Sequence, residues 1–487
     1  MYSGRTEIIM KRASGVLMHI SSLFGDYSCG SFGQEAKYFI DFLHKCGFSY
    51  WQVLPFCMAD ECNSPYKSYS AFAGNPFFVD LKKLHDKGVI TDAELENAKQ
   101  KTPYVCEYDR LKEERYTLLL EASKRAHYRD QINEFISSDK YLEDFCLFMA
   151  HKKANDDKSW TEWVNDTIDE EILFMHKFIQ YEFFAQWSEV LRYAHSKNIK
   201  IIGDVPIYVS FDSSDVWSNT KYFQLDISNN PASVAGVPPD YFAKEGQLWG
   251  NPLYDWEVMQ ADGFKWWCDR MQHMFAMFDC VRIDHFRGIE SYWSVPSAAK
   301  SAKEGKWVKG PGKEFADVMN KIRGDKLIIA EDLGDITEEV YDLVEYSGFP
   351  GMRVVQFGFM GDSDSTHLPH NYINNCIAYT GTHDNNTLLG FVWELPESDR
   401  RRMLDYVGYT DSNWDKCYDY IIRSLYASSA GIVIMPIQDL LMYGSDTRLN
   451  VPGRAEGNWQ YRITKEQLDS IDADKYIKLN ELYKRNN

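Results

Sequence analysis

MFDCVRIDHFRG, residues 277–288, begins as an apolar run and ends in charge. Phe278, Cys280, Val281 and Ile283 suit a strand buried on both faces, as in a parallel sheet. Arg282, Asp284, His285 and Arg287 crowd its C-terminal end. Strand alternation puts Arg282 and Asp284 on one face and His285 on the other. A buried strand that turns polar only where it ends is what a (β/α)8 barrel asks of each strand, because its active site is built at the C-terminal ends.

Seven further short apolar runs bounded by polar residues or Gly recur along the chain. They are GVLMHISSL (15–23), SYWQVLPF (49–56), IKIIGDVPIYV (199–209), KLIIAEDLG (326–334), GMRVVQFGF (351–359), CIAYTGTHD (376–384) and GIVIMPIQDL (431–440). Helical patterns lie between most of them, among them residues 34–46, 171–198, 263–277 and 336–347. Eight strands alternating with helices predict an α/β fold, a (β/α)8 TIM barrel; an open doubly wound sheet is the alternative. Two connections exceed simple loops. Residues 57–198 read as a mainly helical insertion, and residues 210–262, rich in Trp, Tyr, Pro, Asn and Gly, as a loop-built aromatic subdomain. No repeat or flexible linker separates them, so residues 1–487 are expected to form a single catalytic barrel that closes on a helix over 465–485.

Net charge is −19, from 53 basic and 72 acidic residues. That disfavours nucleic acid or an anionic membrane as the main partner, since both need a basic surface. Ten scattered cysteines without a CxxC motif predict a reduced, cytoplasmic protein. The first apolar run is short, contains His19 and lacks a small-residue cleavage site, so no signal peptide is expected. No run is long enough to cross a bilayer.

The charge recurs at the strand ends: Asp204 on the third, Arg282 and Asp284 on the fourth, Glu331 and Asp332 on the fifth, His383 and Asp384 on the seventh, Gln438 and Asp439 on the eighth. Carboxylates gathered on one rim repel each other and cost stability, a cost found most often at functional sites. Arg282 would hold Asp284 ionised. Glu331, following KLIIA one strand over, is placed to have a raised pKa and act as a general acid. Asp284 and Glu331 are therefore a candidate nucleophile and acid. A retaining glycosidase pair stands about 5–5.5 Å apart, and neighbouring strands about 4.8 Å apart permit that. His285 and Asp332, each flipped relative to its neighbour, read as structural, and Trp266 and Trp267 as helix core.

VRIDHFRG, AEDLG and TGTHDNNT, in this order, resemble the catalytic segments of the 4-α-glucanotransferases. These are the amylomaltases or disproportionating enzymes of glycoside hydrolase family 77, in the α-amylase clan. NSPYKSYSAFAGNP (63–76), GDVPIYV (203–209), GVPPDYFAKEGQLWGNPLYDW (236–256), MRVVQF (352–357) and IQDLLMYGSDTRLNVPGRAEGNWQYR (437–462) resemble them too. The resemblance implies that Asp284 is the nucleophile, Glu331 the acid/base and Asp384 the stabiliser that binds sugar hydroxyls. It implies that Arg282 orients Asp284, His383 contacts the same sugar, Tyr66 stacks on it, and Asp204 is the third-strand acid. Gln247, Trp249 and Asn251 would cover the acceptor side, and Asn458 and Trp459 the far wall. The implied substrates are malto-oligosaccharides and α-1,4-glucans, with glucose as acceptor or product and no cofactor or metal. The loop CMADECN (57–63) is less rich in Gly and Pro than the family pattern. GDVPIYV lacks the His that many α-amylases carry after this Asp, which favours the glucanotransferases.

Three rivals stand beside this reading. A hydrolase of the same clan would share the carboxylate pair. A metal-dependent barrel hydrolase usually wants His-x-His on the first strand, where only His19 stands. A non-catalytic glucan-binding protein would need the aromatics but not all three carboxylates.

Overall fold

The structure, a computed structural model, describes residues 10–59, 63–239, 244–411, 414–454 and 456–486. Cys62 and part of the 57–63 loop lie outside them, as does the DYFA stretch of the 236–256 segment. Twelve strands are formed: β1 Ala13–Leu17, β2 Tyr50–Gln52, β3 Lys200–Val205, β4 Ser233–Val237, β5 Gln247–Pro252, β6 Cys280–Ile283, β7 Ser291–Pro296, β8 Lys306–Lys309, β9 Leu327–Ala330, β10 Gly351–Val354, β11 Cys376–Tyr379 and β12 Ile432–Pro436. Eight close a barrel in the order β1-β12-β11-β10-β9-β6-β3-β2, every pair parallel. Each apolar run quoted above overlaps one of these strands, so the fold is the (β/α)8 barrel.

The pleat divides each strand between two cores. Leu17, Ile202, Cys280, Ile329, Met352, Ile377, Tyr379 and Ile434 pack together inside the barrel. Their chain neighbours, among them Val16, Ile201, Val281, Ile328 and Val433, pack outward against the helices. The inward rows run on past the apolar filling to the C-terminal mouth: Ile202 to Asp204, Cys280 to Arg282 and Asp284, Ile329 to Glu331. The fold thus delivers charge to one rim by the period of two alone. Gly203 serves this close packing, because a Cβ there would lie 2.2 Å from the Phe278 ring.

Between β2 and β3 the chain runs through helices that end in Glu170–Ser196, of 27 residues. Trp187 in this helix donates to the carbonyl of Met277 at 3.1 Å, which seats the helix on the barrel. Trp266 and Trp267 are fully buried in the helix Lys265–Met277. Residues 210–262 contain β4 and β5, which join β7 and β8 in a four-stranded antiparallel sheet ordered β5-β4-β7-β8. Half of that sheet comes from the next connection, which the sequence did not single out. The chain ends in two helices, Lys465–Asp469 and Ala473–Leu482, rather than one. Among the described residues no helix is long and apolar enough to cross a membrane, and Cys29, Cys46, Cys57, Cys106, Cys146, Cys268, Cys280 and Cys376 are free thiols.

Candidate active site

Register brings the charged groups together. Asp204 pairs with Arg282 across β3 and β6, and Ile283 pairs with Ala330 across β6 and β9. Asp284 and Glu331 each follow one of the latter pair, so both stand at the mouth of adjacent strands. Arg282 spans two acids: Nη1 lies 2.6 Å from Asp204 Oδ2 and Nη2 lies 2.6 Å from Asp284 Oδ1. Burial opposes the guanidinium charge, but Asp204 and Asp284 outweigh it and hold the pKa of Arg282 well above its ordinary value. Tyr66 donates to the same Asp204 Oδ2 at 2.6 Å.

Glu331 is buried, and its carboxylate accepts two backbone N–H groups, from His285 at 2.6 Å and from Leu333 at 2.8 Å. Burial, reinforced by the charge of Asp284, pushes its pKa up to about 8 against the weaker pull of Arg282 and those two N–H groups. One carboxyl keeps its proton at neutral pH while a second beside it is fixed by an arginine. That is the division of labour a general acid and its partner need.

Asp384 is held differently. Burial raises its pKa, but His383, Asn450 and Arg282 outweigh this and bring it to about 2. Asn450 donates to Oδ1 at 2.6 Å, His383 Nε2 lies 3.2 Å from Oδ2, and Arg448 donates to the backbone carbonyl at 2.9 Å. Tyr66 stacks on His383, with centroids 5.1 Å apart and planes 16° apart, and Trp459 packs against both. Asp384, Tyr66, His383 and Trp459 thus form one wall.

A second wall rises from β5, which carries Gln247, Trp249 and Asn251 and is interrupted by a register shift against β4, with Gly250 left-handed at φ 78°. The Trp249 indole meets the His285 ring edge-on, with centroids 4.9 Å apart, and donates to Gln247 at 3.1 Å. Asn251 spends its amide on the carbonyl of Val209 at 2.8 Å, which ties β5 to the chain leaving β3. Asn458 closes its own loop, accepting from Val451 and donating to Arg454 at 2.9 Å each. Asp332 turns away to Arg353 and to the N–H of Met352. Asp439 braces the segment on both sides of Asp384 by accepting from Thr380 and Leu388.

Sequence reasoning missed Asn450 and the two N–H groups on Glu331. Asn450 sits in a loop 66 residues from Asp384, and its signal was a lone amide between apolar Leu449 and Val451. A backbone N–H leaves no sequence signal. Among the described residues no group of three His, Cys, Asp or Glu side chains is arranged to hold a metal ion.

Comparison with known proteins bears on this arrangement. A family model described as 4-alpha-glucanotransferase, glycoside hydrolase family 77, matches residues 18–468. A 4-alpha-glucanotransferase of Clostridium butyricum is 41% identical, with 96% of this chain and 100% of that protein covered. One of Streptococcus pneumoniae is also 41% identical, with 98% of each covered. Among solved structures, an amylomaltase from Streptococcus agalactiae in complex with acarbose superposes with a TM-score of 0.94 at 38% identity, covering 98% of this chain and 100% of that one.

Proposed function

As a member of the 4-alpha-glucanotransferase family, glycoside hydrolase family 77, this chain is an enzyme that transfers glucan segments, and we propose that it does so by a retaining double displacement at Asp284 and Glu331. Asp284 attacks the anomeric carbon of a donor α-1,4-glucan. Glu331 protonates the glycosidic oxygen, and the donor's reducing-end fragment leaves. A second glucan then enters. Glu331, now a carboxylate, takes the proton from its 4-hydroxyl as that oxygen displaces Asp284, so configuration is retained. Asp384, kept anionic, accepts hydrogen bonds from the sugar and favours the positive charge that develops on the ring. Arg282 and Asp204 fix Asp284 from below. Tyr66 and His383 offer a flat stack for the sugar at the cleaved bond, with Trp459 behind them. Trp249 and Gln247 offer the acceptor wall.

The observation that carries this reading is the contrast between the two neighbouring carboxyls. Glu331 holds its proton to about 8, while Asp284 is held at 2.6 Å by Arg282. Malto-oligosaccharides and starch-type glucans are the proposed substrates, with glucose as acceptor or product. The family membership and the aromatic walls support this. The cytoplasm is the proposed site of action, supported by the free thiols of Cys29, Cys46, Cys57, Cys106, Cys146, Cys268, Cys280 and Cys376. The mechanism is tested with Glu331→Gln and a maltosyl fluoride, whose leaving group needs no proton. The variant should accumulate a maltosyl-enzyme, and peptide mass spectrometry should place the sugar on Asp284. A label on another residue, or none while the donor is still consumed, overturns the assignment.

A further inference from the structure

We infer that His285 is a positioning residue joining the acceptor wall to the acid/base, its main chain fixing Glu331 and its ring backing Trp249. The inference rests on the roles proposed above for Glu331 and Trp249. His285 follows Asp284 directly, yet its backbone is left-handed, with φ 51°. That conformation is rare for residues other than Gly, with Asn, Asp and His among the more tolerant. Backbone strain of this kind gathers at functional sites. Here it ends β6 in a tight turn, in which Gly288 N–H returns to the His285 carbonyl at 2.9 Å. The His285 N–H bonds Glu331 Oε2 at 2.6 Å rather than a strand carbonyl. The next N–H, from Phe286, bonds the Glu331 carbonyl at 3.0 Å. The turn therefore grips Glu331 by both side chain and main chain.

The ring works in the other direction. It is half-buried, and desolvation lowers its pKa to about 4, so it is a neutral prop at working pH. Trp249 stands edge-on against it. Gly288 leaves room beside it, since a Cβ there would come within 3.3 Å of His285 Cδ2. Pressure on Trp249 from a bound sugar is passed to the residue whose N–H holds Glu331. The other groups that set the charge of Glu331 are Arg282 on β6, Asp284 just beyond its end, and the Leu333 N–H. Asp332 is turned to Arg353. The His285 N–H favours the charged carboxylate, so losing it moves the basic limb of activity to higher pH.

The test compares His285→Asn, His285→Gly and His285→Val. Asn and Gly accept a left-handed backbone and remove the ring, whereas a β-branched residue resists that backbone. Two readouts are taken on maltotriose: the pH profile of kcat/KM, and the ratio of transfer to hydrolysis. Asn and Gly should keep the wild-type basic limb while hydrolysis gains several-fold on transfer. Val should move the basic limb upward by half a pH unit or more. A basic limb displaced in the Asn and Gly variants overturns the main-chain role, whether or not the Val variant folds. A wild-type ratio of transfer to hydrolysis in both overturns the ring role. Failure of the underlying reading looks different: Glu331→Gln would then keep its activity on maltotriose.

Discussion

At the scale of single residues, Glu331 is where function and stability collide. Its folded pKa of about 8 stands above the ordinary glutamate value of about 4.3. Between those values the folded protein binds more protons than the unfolded chain, so this group makes stability fall as pH rises. Glu331→Gln removes that penalty. The variant should lose about 10²–10⁴-fold in kcat/KM on maltotriose, yet melt several degrees above wild type at pH 8. That advantage should shrink to nothing towards pH 4, which melts across the pH range would check. Asn450 gives the opposite sign. It helps hold Asp384 near 2, and a hydrogen bond to a charged group contributes about 1.5–3 kcal/mol. Asn450→Ala should raise the pKa of Asp384, shift the acid limb of the profile upward and lower kcat/KM about 10- to 100-fold. Asp284, Glu331 and Asp384 were legible in the sequence because each follows an apolar run whose end marks a barrel mouth. Asn450 and the left-handed turn at His285 were not, since one depends on a loop returning from far along the chain and the other on backbone geometry.

At the scale of elements, the loop that carries Tyr66 is held from outside the barrel. Gln180, in the helix Glu170–Ser196, accepts from the N–H of Gly74 at 2.7 Å and donates to its carbonyl at 3.0 Å. Gly74 admits no side chain, because a Cβ would lie 2.3 Å from the Phe183 ring. Gln180→Leu strands a buried donor and acceptor, at about 1–3 kcal/mol for each. It should lower the melting temperature and raise KM for maltotriose, with a smaller effect on kcat, as steady-state kinetics would show. The helix was readable from its period. The sheet that bears Trp249 was not, because β4 and β5 pair with β7 and β8 across the interruption of β6, and no local pattern reports a partner so placed.

At the scale of the whole molecule, the barrel seam is locked by the end of the chain. Arg485 is fully buried. Its guanidinium donates to the carbonyls of Ala13, Tyr426, Ser428, Ala430 and Gly431. These flank β1 and β12, the first and last barrel strands. Burial, reinforced by the charge of Arg12, lowers its pKa to about 9. Arg12 also reaches the Tyr426 and Ser428 carbonyls, and the Gly431 carbonyl also accepts the Ala13 N–H at 2.9 Å. Arg485→Ala should cost about 3–5 kcal/mol and leave the active-site pH profile in place, a separation that thermal melts and kinetics on one preparation would show.

The same scale frames the chemistry. In the proposed mechanism water and a glucan 4-hydroxyl compete for one glycosyl-enzyme, and the walls proposed at Trp249 and Tyr66 would favour the sugar. The most direct measurement is incubation of the purified protein with maltotriose alone, following glucose, the ladder of chain lengths and total reducing ends. The account predicts glucose together with chains longer than maltotriose at constant reducing ends, all abolished by Asp284→Asn. A rise in reducing ends with nothing longer than maltotriose would contradict it.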